Sequence, residues 1–139
     1  MSSSLAHALQ DFTDPQSEAQ LQFLDATVQA IETASCAQAD LQALFGVFER
    51  FPEEDGYGVF WGILHALEAC DGYESELLAS VQRQPCEFNV LMVNRLLNAE
   101  VSEVEGHALE DVLRDVVLHP KATGQAVHDA KHYLVRRGA

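Results

Sequence analysis

Apolar residues in this chain recur every three or four positions, and four prolines divide the recurrence into segments of similar length. Pro15, Pro52, Pro85 and Pro120 stand 37, 33 and 35 residues apart. Each lies just ahead of a segment with helical periodicity, where a fixed φ and a missing N–H suit a helix start or the turn before it. Leu21, Leu24, Val28 and Ile31 form one stripe behind Asp14-Pro15, which reads as N-cap and first helical residue. Leu41, Leu44, Phe45, Phe48 and Phe51 form the next, and Val59, Phe60, Ile63, Leu64 and Leu67 a broad third, stopped at Asp71-Gly72. Leu77, Leu78 and Val81 mark a short helix. Phe88 to Leu97 is apolar on most sides and reads as central. Leu109, Val112, Leu113, Val116 and Val117 make a clean amphipathic helix, and Val127, Ala130 and Leu134 a last one.

Alternating strand patterns are absent. With a short first helix over Leu5–Phe12, residues 1–139 read as a single all-α domain of about eight helices in four antiparallel hairpins. Periods in the thirties are those of helical-hairpin repeats, which predicts a right-handed stack of the HEAT or TPR kind. A compact orthogonal helical bundle is the alternative.

Charge is distributed unevenly over this pattern. The 139 residues carry 22 acids and 8 bases, a formal net charge of −14, and no Lys or Arg precedes Arg50. Residues 1–111 have 20 acids and 3 bases, whereas residues 112–139 have 2 acids and 5 bases. Such a body repels phosphate backbones and anionic headgroups, which argues against nucleic acid and membrane surfaces as partners. It favours a basic protein surface reached by electrostatic steering, although net charge also serves solubility alone. Cys36, Cys70 and Cys86 are odd in number with no C-x-x-C pair, so no disulfide framework is expected and a reducing, cytoplasmic setting is. The start, Met1 to His7, lacks a basic and then apolar leader, and the most apolar stretch, Val59 to Leu67, is too short to span a bilayer.

The third stripe is flanked by the features that best fit a binding surface. At 100° per residue, Tyr57, Trp61, His65 and Glu68 share an arc beside the apolar one, and Gly58 and Gly62 fall on the arc beyond. Two glycines at i, i+4 cost helix stability and point to close approach of another backbone. Tyr57, Trp61 and His65 have apolar bodies and polar tips, which suits interface anchors and equally the edge of a core. Glu53, Glu54 and Asp55 lie at one end of this helix, and Asp71 and Glu74 near the other. A charged rim around an aromatic centre is the anatomy of a steered interface, while a merely solvated face is the plain alternative. Asn94 and Asn98, on one arc with Glu87, Leu91 and Arg95, extend that surface or are ordinary exposure.

Catalytic arrangements are poorly supported. His128 and His132 are i, i+4 but have no identifiable third ligand, and His65 with Glu68 is a single H-x-x-E where a dimetal bundle needs pairs. No Gly-rich phosphate loop, G-x-S-x-G or H-E-x-x-H occurs, so neither an enzyme nor a cofactor is expected.

Two segments taken together carry a resemblance. One runs from Phe48 to Glu68 and includes Asp55-Gly56-Tyr57-Gly58 and Trp61; the other runs from Pro85 to Asn98 and includes Asn94-Arg95 and Asn98. Over about residues 40–137 the pattern resembles small helical immunity proteins encoded beside bacterial polymorphic toxins of contact-dependent or type VI secretion systems. The resemblance implies a non-enzymatic protein that binds one cognate toxin and blocks its active site or substrate path. A toxin acting in the cytoplasm with a basic, nuclease-like domain is the expected partner, and an acidic chaperone or adaptor for a secreted effector is the alternative.

Overall fold

The computed structural model describes residues 4–31 and 36–138; residues 1–3, on which the reading of the start partly rests, lie outside them. Eight α-helices follow one another: α1 Ser4–Gln10, α2 Glu18–Gln29, α3 Gln38–Arg50, α4 Val59–Ala69, α5 Tyr73–Arg83, α6 Glu87–Asn98, α7 Leu109–Leu118 and α8 Gly124–Arg136. The all-α expectation is met, with every proline in a turn between helices. One helix start differs from the expectation at Asp14-Pro15. Helix α2 begins at Glu18, because the Ser17 hydroxyl, not the Asp14 carboxylate, accepts from a first-turn amide, that of Gln20 at 3.2 Å. Asp14 instead accepts from Gln16 N at 2.9 Å and closes a turn around Pro15.

Strands are also present where none was expected. Glu103–Val104 (β1) and His107–Ala108 (β2) pair antiparallel across Glu105-Gly106, with φ of 51° and 81°. Two positive φ values are what a two-residue hairpin turn requires, and Gly106 supplies one of them without strain. Strands of two residues are too short to carry an alternating pattern.

Helices two apart in sequence pack side by side: α1 on α3, α3 on α5, α2 on α4, α4 on α6 and α6 on α8, with α7 closing against α8. This sets α1, α3 and α5 in one row and α2, α4, α6 and α8 in another. Between the rows lies an aromatic cluster. Phe48 stacks on Phe88 at 5.1 Å and 12°, Phe60 meets both at 5.8 and 5.9 Å, and Phe12 approaches Phe60 at 6.2 Å. These rings join the end of α1 to α3, α4 and α6, and each such pair adds about 0.5–1.5 kcal/mol beyond the area it buries.

Arginines clip the helix pairs from outside. Arg50 donates to the Leu9 and Phe12 carbonyls at 3.0 and 2.9 Å, joining α3 to α1. Arg83 forks onto Glu49 at 2.8 and 2.9 Å, joining α5 to α3. Arg95 forks onto Glu68 at 2.6 and 2.8 Å, joining α6 to α4. Arg137 reaches the Asn94 and Asn98 side-chain oxygens at 3.1 and 2.6 Å, joining the end of α8 to α6. Half of the eight bases thus serve inter-helix contacts, which is where this acidic chain's scarce positive charge goes.

Two further features set the frame. Cys36 and Cys70 form a disulfide with Cα atoms 5.8 Å apart, which corrects the expectation of three reduced thiols. Cys36 leads into α3 and Cys70 ends α4, and 34 residues of sequence separation give no local sign of the pairing. Cys86 alone is free, and burial pushes its thiol up to about 11. Asn89 is fully buried and joins α5 to α6: its Oδ1 accepts from Cys86 N at 2.8 Å, and its Nδ2 donates to Gln84 O and Ser80 Oγ at 2.9 and 3.1 Å. Removing the amide strands several buried polar groups, so Asn89→Ala should lower unfolding free energy by about 1–3 kcal/mol in urea melts. A variant as stable as the parent would mean that the amide is replaceable there.

Candidate functional site

The residues expected to form one surface fall into three places. The first is the corner between α3 and α4. Glu53 and Asp55 are exposed and Glu54 is half-buried. Gly56, Tyr57 and Gly58 form a 3-10 turn with φ of 59°, 52° and 92°. A left-handed conformation costs a tyrosine about 1–3 kcal/mol and persists only where its surroundings impose it. Here Asp55 does so: its carboxylate accepts from Tyr57 N at 2.9 Å, and its carbonyl accepts from Gly58 N and Phe60 N at 3.1 and 3.2 Å. Gly56 is needed twice over, since a Cβ there would lie 2.7 Å from the Phe60 ring.

This turn overturns the shared arc. Tyr57 lies before α4 and not on its stripe, and it is swung towards α2, where its hydroxyl donates to Gln16 Oε1 at 2.7 Å. At 73% exposure it is the most displayed aromatic side chain among the described residues. Gln16 also donates to Glu54 Oε2 at 3.3 Å, so one neutral side chain bridges α2's lead-in to the corner. The glycine reading is corrected as well. Gly58 is the left-handed N-cap of α4, and a Cβ on Gly62 would meet only the Val28 side chain at 3.7 Å.

Between α2 and the corner lies a cleft of about 410 Å³, lined by Gln16, Glu18, Leu21, Gln22, Asp25, Gly56, Tyr57 and Val59. The residues that α2 contributes were missed from sequence. Glu18, Gln22 and Asp25 are spaced i, i+4, i+7, a signal for one polar helix face that only the packing turns towards Tyr57. Glu18 accepts from Gln22 at 3.3 Å and Asp25 from Gln29 at 2.8 Å, both neutral donors.

The second place is the seam between α4 and α6. Trp61, 41% exposed, sets its edge on Phe88 at 5.5 Å, with the exposed His65 ring 6.2 Å away. Glu68 is not an open acid, because Arg95 neutralises it through two short bonds. The Tyr73 phenol, buried behind that pair, is pushed up to about 12 by burial and then by Glu68 and Glu74. Asp71 is exposed and Glu74 half-buried, but they lie at the far end of α4. Eleven helical residues span about 16 Å, so these acids are separate from those beside Tyr57.

The third place is the ends of α6 and α8. Asn94 and Asn98 use their oxygens on Arg137, which withdraws them from the surface around Tyr57. Arg137 at the last turn of α6 is placed to offset the negative end of that helix.

Glu87 links the first two places. It lines a cleft of about 260 Å³ with Glu53, Glu54 and Gln125, and its carboxyl is pushed up by burial, then by Asp129 and Asp55. His128 and His132 are both exposed on α8. Among the described residues, no three His, Cys, Asp or Glu side chains are grouped to hold a metal ion, and no helix is long and apolar enough to cross a membrane. Comparison with known protein families, with curated proteins and with solved structures returns no match.

Proposed function

We propose that this chain is an immunity protein: it binds a cognate bacterial toxin domain with a basic surface and occludes it. The observation that carries the reading is the α3–α4 corner. There a strained left-handed turn displays Tyr57 among Glu53, Glu54, Asp55, Glu18 and Asp25, none of which has an arginine or lysine partner among the described residues. Backbone strain held in place beside uncompensated like charge is costly to a free protein, and a basic partner would relieve the charge. Trp61 and His65 would continue the contact along α4, while Glu68, Asn94 and Asn98 support the frame from within.

The encounter belongs to the cytoplasm only if the chain folds there with Cys36 and Cys70 reduced, since disulfides are rare in reducing compartments. The test is growth of cells expressing the toxin domain of the adjacent gene, with and without this chain, together with affinities measured across a salt series. Protection is expected, with binding that weakens at least roughly tenfold between low and high salt. Reversing Glu53, Glu54 and Asp55 to Lys should abolish it. No protection, or binding indifferent to both salt and charge reversal, would sink the reading. Loss of secretion without loss of growth would point to an effector chaperone instead.

A further inference from the structure

Four of the helix pairs that pack two apart in sequence are crossed by an arginine: Arg50 for α1 and α3, Arg83 for α3 and α5, Arg95 for α4 and α6, Arg137 for α6 and α8. The α2–α4 pair is crossed by none among the described residues. Its polar bridge is the neutral Gln16, and the cleft of about 410 Å³ opens there. We infer that this cleft is the seat for one arginine side chain of the protein partner, which supplies from outside the cation that this seam lacks. The inference rests on the proposed function for the existence of a basic protein partner, and adds where and by which side chain it is held.

The chemistry of the lining fits that occupant in three respects. Leu21 and Val59 give the apolar floor against which the three methylenes of an arginine lie. Glu18 opens α2 and Asp25 stands about two helical turns further along it, and each has given only one acceptor position to a neutral amide, so each retains lone pairs for a guanidinium. The Tyr57 ring forms the remaining wall. It is pinned at both ends, by the Asp55 carboxylate that accepts from its backbone N–H and by the hydroxyl bond to Gln16, so its face is fixed before any ligand arrives. A planar guanidinium uses ring and carboxylate together; an ammonium uses the carboxylate as a point charge and gains less from the ring. No Lys or Arg precedes Arg50 in the sequence, so nothing local to α2 competes for the seat.

The probe is N-acetyl-arginine methylamide, titrated against the 15N-labelled full chain, with the citrulline analogue as an uncharged isostere. Shifts confined to 16–25 and 56–59 are expected, saturating at a roughly tenfold lower concentration for arginine than for citrulline. E18Q with D25N, surface changes that leave the core intact, should erase that difference. Tyr57→Ala should weaken arginine binding while the remaining spectrum stays folded. Equal binding of both analogues, shifts centred on Glu53 and Glu87, or indifference to all three substitutions would overturn the seat. The two readings fail separately. A toxin that binds tightly to the E18Q, D25N variant leaves the function and removes this seat. Arginine binding in a chain that protects against no toxin leaves the seat and removes the function.

Discussion

Replacing Cys36 and Cys70 by serine, or adding reductant, is expected to lower the melting temperature by about 10–15 °C. The bridge closes a loop over 34 residues of sequence separation, for which loss of chain entropy in the unfolded state corresponds to about 3–4 kcal/mol. That loop contains α3, the strained turn and α4, so the bond holds together both elements that carry Tyr57 and Trp61. Thiol titration gives an independent check. The native oxidised protein should show no reactive thiol, because Cys86 is buried with its pKa near 11. Denaturation should release one thiol, and denaturation with reduction all three. Three thiols without reductant, or a double-serine variant melting within a degree or two of the parent, would refute the bridge.

Phe88→Ala should be comparably damaging, for a different reason. Phe88 is 2% exposed and its ring touches Phe48, Phe60 and Trp61, so α3, α4 and α6 all lose a packing surface at once. Truncating a buried phenylalanine costs about 3–5 kcal/mol, against about 5–15 kcal/mol that holds a typical domain folded. The chain has one tryptophan, Trp61, whose ring rests on Phe88, so its emission reports the cavity directly. A shifted emission in the folded variant and an earlier urea midpoint are expected. A loss under about 1 kcal/mol with unchanged emission would show that the aromatic cluster closes around the gap.

The helices were legible because their signals are local. Burial of Val112, Leu113 and Val116 in α7 follows directly from apolar residues at helical spacing, and the turns after Pro52 and Pro120 from the conformations proline permits. The candidate site was legible only in its ingredients. Glu53, Glu54, Asp55 and Tyr57 were found, but Tyr57 was assigned to the α4 arc because periodicity presumes helical φ, which the 52° of Tyr57 breaks. Glu68, Asn94 and Asn98 looked like free surface because their partners, Arg95 and Arg137, come from other helices. Glu18 and Asp25 carry no sign of a site in the sequence, because nothing within α2 says which helix lies alongside.

By itself, then, the sequence determined an all-α chain, the run of its helices and the excess of acid over base, since these follow from residue spacing, backbone preference and simple count. Tertiary structure alone decided which charges remain uncompensated. An arginine neutralises a carboxylate, or bonds a neutral oxygen, only where the packing brings it within about 3 Å, and packing brought arginines to four helix seams while leaving the α2–α4 seam without one among the described residues.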